Sequence, residues 1–274
     1  MGTFGDTVDF VLGDALKRHR NVVKKSDRLM HAGFGRVIGC SVTASTLDEV
    51  TNEILRRADR GDGGYICVAN VHMVTLARRD RDLAKVLERA ALVTSDGMPL
   101  VWVLRRQGFR EAGRVAGPDL TDRLCRAAAA RGMPAYFYGG RRKHAAAMRQ
   151  KISDRYPTLP VAGCESPREL PTRPSLDPEA VSRIEKSGAG IVFVGLGCPK
   201  QEFWMASHAG HLRAVTIGVG AAFDFLAGSL RRAPVWMQRA GLEWLFRLLS
   251  EPRRLWKRYL VTNTLFLFYL LQNR

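Results

Sequence analysis

The sequence predicts an α/β protein, a Rossmann-like and largely parallel sheet flanked by helices, with a C-terminal helical appendage. Three observations predict it. From Arg36 onward, short apolar runs ending in Gly, Asn or Asp alternate with helical segments, and that alternation implies parallel strands joined by right-handed crossovers. The runs GYICVAN (64–70) and GIVFVGLGC (190–198) are nearly continuous in apolar residues, as strands covered on both faces must be. Beyond residue 230 the pattern is helical and basic. At 274 residues the chain can bury a large core without disulfides or a structural metal.

Residues 1–35, with KRHRNVVKK at 17–25, read as a flexible N-terminal extension. RVIGCSV (36–42) reads as a strand. Thr46 and Glu49 form a capping box that opens a helix to about Arg60. GYICVAN is a buried strand, and VHMVTLARR and DLAKVLERA are helical. ALVTSDG (91–97) is strand then loop, and MPLVWVLRRQ is helical. GPDLTDRLCRAAAARG (117–132) has Pro near its start and Gly past its end, the expected polarity of a helix. PAYFYGG (134–140) is strand then turn, followed by a helix to about Tyr156. The proline-rich segment 157–176 holds one short strand and a long loop, and a helix follows at about 177–187. GIVFVGLGCPKQE (190–202) is strand, turn and helix, and AVTIGVG (214–220) is a further strand. Two helices, about 234–250 and 252–271, end the chain. The expected organisation is therefore an extension to residue 35, a core over 36–230, and a basic appendage over 231–274 facing a membrane and a diphosphate.

The composition excludes several classes. Five cysteines, with no C-x-x-C and no Cys/His cluster, argue against a zinc site or a disulfide scaffold. The first residues carry two early acids and no long apolar run, so they do not read as a signal peptide. The formal charge is +17, with 34 Arg against 9 Lys, and arginine suits bidentate phosphate recognition. Many of these side chains belong to solvated faces. The skew is more informative: from Arg231 onward there are nine basic residues and two acids, Glu243 and Glu251. That points to an anionic partner, either nucleic acid, a diphosphate or a membrane surface. No helix-turn-helix, RRM or zinc-finger signature supports nucleic acid. LVTNTLFLFYLL (260–271) is too short to span a bilayer, which takes ~20 residues. Behind Arg253, Arg254, Lys257 and Arg258 it reads as an interfacial helix. Exposed apolar helices are also compatible with a homo-oligomer.

Ligands of parallel sheets bind outside the carboxyl ends of the strands, so the polar residues there are the candidates. Asp96 ends a strand and precedes Gly97, which lets a ligand approach; its carboxylate suits a general base towards a hydroxyl. Asn70 is either a donor to substrate or a helix cap. Gly195, Gly197, Pro199, Lys200, Gln201 and Glu202 form a strand-to-helix turn whose backbone N–H groups suit a phosphate or sugar oxygen. The turn is not G-x-G-x-x-G, since Lys200 takes the third glycine position, and it is not a P-loop. A dinucleotide oxidoreductase is therefore disfavoured. Gly139 and Gly140 form another turn, and Gly218, Gly220, Phe223 and Asp224 a third. Asp80 and Asp82 have the D-x-D form of metal-dependent sugar transferases, but Asp80 sits where a helix N-cap is due. The histidines pair with no nucleophile. Arg231, Arg232, Arg253 and Arg254 could clamp a diphosphate, and Glu243 and Arg247 could pair at i,i+4.

These residues together resemble the TagA/WecG/CpsF-type glycosyltransferases, family 26, from about Arg36 to Leu271. The markers are Asn70, Ser95-Asp-Gly97, Val115-Ala-Gly-Pro-Asp119, Tyr138-Gly-Gly140, Gly195-Leu-Gly-Cys-Pro-Lys-Gln-Glu202, Gly218-Val-Gly-Ala-Ala-Phe-Asp224, Arg231-Arg-Ala-Pro234, Gly241-Leu-Glu-Trp-Leu-Phe-Arg247 and Glu251-Pro-Arg-Arg254. The resemblance implies inverting, metal-independent transfer from a UDP-sugar to a polyprenyl-diphosphate-linked saccharide. It places the enzyme peripherally at the cytoplasmic face of the bacterial plasma membrane. The donor sugar would be N-acetylmannosamine, its uronic acid, or glucose. The resemblance makes Asp96 the base, with Asn70, Arg114 and Gln201 beside it and the C-terminal arginines over the diphosphate. No cofactor is implied. Val68 stands where family members often have Thr. A basic nucleic-acid-binding protein and a non-catalytic membrane-surface scaffold are the competing readings.

Overall fold

The computed structural model describes residues 33–140 and 145–272. The expected N-terminal extension lies outside them except at its end, where Phe34 already starts a strand. The first correction is here. The segment read as one strand is a hairpin of β1 (Phe34–Val37) and β2 (Cys40–Thr43). It turns at Ile38 and Gly39, both with positive φ, 44° and 95°. Two-residue hairpin loops need this geometry and usually recruit Asn-Gly. A β-branched residue there gives no turn signal. Ile38 tolerates it because its side chain is buried in the core.

The remaining elements follow the expected order: α1 (Leu47–Arg60), β3 (Tyr65–Ala69), α2 (Val71–Arg79), α3 (Arg81–Arg89), β4 (Leu92–Ser95), α4 (Met98–Arg106), α5 (Gly117–Ala130) and β5 (Ala135–Gly139). Then come α6 (Ala145–Arg155), β6 (Val161–Glu165), α7 (Pro178–Lys186), β7 (Ile191–Gly195), α8 (Lys200–His208), β8 (Val215–Gly218) and the short α9 (Ala222–Leu226). The capping box of α1 forms as expected, with Thr46 Oγ1 accepting the Glu49 N–H at 3.3 Å and Glu49 Oε2 accepting the Thr46 N–H at 2.7 Å. The expected helix over 234–250 is two helices, α10 (Val235–Arg239) and α11 (Glu243–Ser250). Gly241, at φ 74°, takes a left-handed conformation that ends α10 and redirects the chain. The last helix is α12 (Pro252–Gln272).

The six strands of the main sheet run parallel in the order β4-β3-β8-β7-β5-β6. Side chains alternate between two cores. Tyr65, Cys67 and Ala69 meet α2, α3, α4, α7, α8 and α12 on one face, while Ile66 and Val68 meet α1, α5 and α6 on the other. A sheet covered on both faces explains strands that read as unbroken apolar runs. It also brings the carboxyl ends of β3, β4, β5, β7 and β8 to one edge.

Candidate active site

That edge opens into a cleft of about 850 Å³, floored by the strand ends and walled by α4, the 112–118 segment, α11 and α12. Asp96 lies in it, one residue beyond β4, and its N–H is held by the Ala69 carbonyl at 2.7 Å. Its side chain keeps 28% of its surface exposed, towards the cleft it lines. Burial pushes the carboxyl up to about 6; Arg114 opposes this, Glu243 adds to it, and Arg247 and a hydrogen bond from Asn70 oppose it. Asn70 takes its expected role as a helix cap and also holds Asp96. Its Oδ1 accepts the Met73 N–H at 3.1 Å and caps α2, which leaves the amide nitrogen to donate to Asp96.

Arg114 is delivered by local docking. The Gly113 carbonyl accepts from Ser95 Oγ at 2.9 Å, and the Val115 N–H donates to the Ser95 carbonyl at 2.8 Å. Arg114 Nε then donates to the Asp96 carbonyl at 2.7 Å, and its Nη2 lies 3.9 Å from Asp96 Oδ1. The same guanidinium is paired with Glu243. The i,i+4 pair expected between Glu243 and Arg247 is therefore not made: Glu243 bridges to the core, and Arg247 faces Glu251 at 3.9 Å. Glu251 also holds Arg254, so two guanidinium groups stand together over the cleft. Arg232 pairs with Asp119 at 2.6 Å, at the start of α5, outside the cleft lining. Arg231 and Arg253 are exposed and also lie outside it.

The glycine turns behave differently from expectation. Gly140, Gly195, Gly197, Gly218 and Gly220 line the cleft with Lys200, Gln201, Phe223 and Asp224. Their N–H groups, however, are partly engaged. Gly197 donates to Gln201 Oε1 at 3.2 Å, and Val219 and Gly220 donate to the Val194 carbonyl at 3.0 and 3.4 Å. Gly139 is a packing position: at φ 120°, a Cβ there would meet the Gly195 backbone at 2.7 Å. Pro199 precedes the first turn of α8. Gln201 is buried, and its Nε2 donates to Glu202 Oε1 at 2.8 Å. Glu202 is fully buried beneath the floor, where desolvation pushes its carboxyl up to about 7. It supports Gln201 and does not line the cleft. Val68 does line it.

Asp80 and Asp82 are structural, as the capping position suggested. Asp80 caps α3 through the Asp82 and Leu83 N–H groups at 3.0 and 3.2 Å. Both carboxylates are held by Arg173, at 3.0 and 2.7 Å, and neither lines the cleft. Sequence reading missed Arg106, Arg258, His72 and Trp102, all of which line it. The spacing of Arg258 four residues after Arg254 was the available signal, since i and i+4 share a helix face. His72 is held down to about 4 by burial and by Arg258, so its ring is neutral at physiological pH.

A Rossmann-like sheet here sets a carboxylate with a raised pKa among guanidinium groups at its strand ends, an arrangement suited to taking a proton from a hydroxyl beside an anionic group. The chain belongs to the Glycosyl transferase WecG/TagA/CpsF family, whose pattern it matches over residues 35–274. It is 33% identical over 204 residues, 74% of this chain and 77% of the relative, to the N-acetylglucosaminyldiphosphoundecaprenol N-acetyl-beta-D-mannosaminyltransferase of Bacillus subtilis (strain 168). It is 32% identical over the same length to the enzyme of that name from Bacillus spizizenii.

Proposed function

We propose that this protein is an inverting, metal-independent glycosyltransferase that moves a sugar from a UDP-sugar to a polyprenyl-diphosphate-linked saccharide, with N-acetylmannosamine the first donor sugar to test. The observation that carries the reading is the Asp96 carboxylate, held by Asn70 and flanked by Arg114 in a guanidinium-lined cleft. The names of the two Bacillus relatives support the donor and acceptor classes. In a single displacement the acceptor hydroxyl oxygen forms a bond to the anomeric carbon. Its proton passes to Asp96. The bond to the UDP oxygen breaks on the opposite face, so the configuration inverts. The leaving diphosphate gains negative charge, and preorganised cations stabilise such charge most effectively where water is excluded. Arg114 and Arg247, which line the cleft close enough to act on Asp96, are read as supplying it.

The appendage over 231–274 is read as facing the membrane at the cytoplasmic surface. No helix among the described residues is long and apolar enough to cross one. Along α12 the exposed positions include Arg253, Trp256, Lys257, Leu260, Val261, Thr264, Leu267, Phe268 and Leu271. Their three- and four-residue spacing makes one stripe, and the stripe is apolar where a solvated helix face would be polar. Anionic lipid would attract each nearby Lys or Arg by ~1 kcal/mol. The decisive screen measures UDP release from several UDP-sugars with a short-chain lipid-diphosphate-sugar acceptor. Acceptor-dependent release from at least one donor is expected. Release from none, across the donor set, would overturn the reading.

A further inference from the structure

The cleft is longer than a sugar and a diphosphate require, and its character changes along its length. The row Arg254, Arg258, Thr262, Phe266 and Leu270 on α12 lines it, although Thr262 and Phe266 are themselves almost fully buried. This is one i,i+4 ridge, and at 1.5 Å per residue it runs ~24 Å. It begins with two guanidinium groups, passes a hydroxyl and ends in hydrocarbon. Across from it, Met98, Trp102 and Val103 of α4 line the same cleft. Trp102 is half exposed and Leu267 is 61% exposed, so this end opens to the surface beside the apolar stripe of α12.

We infer that the apolar groove between α4 and α12 holds the first isoprene units of the acceptor's lipid tail, while Arg254 and Arg258 hold its diphosphate. This rests on the function proposed above. The uracil of a UDP-sugar could stack on one aromatic ring, but a UDP-sugar offers no hydrocarbon chain for Leu267 and Leu270. The acceptor is an amphiphile, and the cleft-lining residues of α12 pass from guanidinium groups at Arg254 and Arg258 to hydrocarbon at Leu267 and Leu270, the order of its diphosphate and tail. The groove continues at Leu267 into the exposed stripe, so a tail bound there need not leave the bilayer completely.

The test uses two soluble acceptors with the same sugar-diphosphate head, one with a single isoprene unit and one with three, below their micelle concentrations and without vesicles or detergent. The wild-type protein should prefer the longer tail about tenfold or more in kcat/KM for UDP release, since each buried CH₂ contributes substantially. Trp102→Ala and Leu267→Asn should each reduce that ratio about threefold or more. Phe268→Asn, on the outer stripe but outside the groove, should keep the wild-type ratio. Equal use of both acceptors by the wild type would overturn the groove and leave the transferase reading intact. Use of neither would overturn both. A ratio lost equally in Phe268→Asn would assign the preference to the outer surface and overturn the groove. A photoreactive three-isoprene diphosphate gives a measurement independent of the variants. It should label Trp102, Leu267 or Leu270, and labelling confined to Trp256, Leu260 and Phe268 would contradict the inference.

Discussion

Asp96 is held between opposed influences: walls that desolvate it and guanidinium groups that keep it ionisable. Its carboxyl, pushed up to about 6, is a stronger base than a solvated aspartate yet still ionised at neutral pH. Activity should therefore rise with pH through about 6, read as the acid limb of kcat/KM in UDP release. A limb near 4 would remove the desolvation argument. The same shift carries a stability cost whose sign follows from linkage. A carboxyl whose folded pKa is raised binds its proton more tightly when folded, so the native state loses stability as pH climbs from about 4 to 6. Asp96→Asn should thus stabilise the fold by ~1–3 kcal/mol at pH 7.5 and by nearly nothing at pH 4, measured by denaturant titration. Gln201 illustrates the opposite case. Its amide satisfies both the Gly197 N–H and the buried Glu202, so Gln201→Ala should cost ~1–3 kcal/mol from groups left unpaired. Asp96 and Asn70 were legible as strand-end polar residues. That one amide both caps a helix and donates to Asp96 was not, because only the fold places its oxygen and its nitrogen separately.

At the scale of elements, most of the chain announced itself. Capping boxes, proline at helix starts and glycine after helix ends are local chemistry, and α1, α5 and α7 lie within a few residues of expectation. The two misread elements both depend on contacts from elsewhere. The β1–β2 turn survives an isoleucine at φ 44° because the side chain is buried. Replacing it tests which effect dominates. Asn relieves ~1–2 kcal/mol of left-handed strain but gives up ~2–5 kcal/mol of burial and packing. Ile38→Asn should therefore destabilise the protein by a net ~1–3 kcal/mol, seen as a lower denaturation midpoint. The break between α10 and α11 likewise serves a distant contact: it lets Glu243 reach Arg114, 129 residues earlier in the chain. No sequence spacing reports such a pair, which is why the local i,i+4 alternative was the natural expectation.

For the whole molecule, charge and exposed hydrocarbon act together. The +17 charge alone would fit nucleic acid or any anionic surface. The arrangement of α12, with Trp256, Leu260 and Val261 exposed beside Arg253 and Lys257, favours an anionic bilayer. Binding to vesicles containing anionic lipid should exceed binding to neutral vesicles and weaken with added salt. Leu260→Asn should lower the partition coefficient about tenfold or more, the equivalent of one leucine's burial; an unchanged coefficient would remove α12 from the interface. The order of strands and helices was readable because each element carries its own signal. The cleft's walls were not, since they join residues near 70, 100, 114 and 250 that only the folded sheet brings together.

The measurement that bears most directly on the central claim is the turnover of Asp96→Asn with a UDP-sugar and lipid-diphosphate-sugar acceptor that the wild type uses. With the base removed and the neighbouring arginines intact, kcat should fall about 10²–10⁴-fold. Turnover within a few-fold of wild type would place proton removal elsewhere and contradict the account.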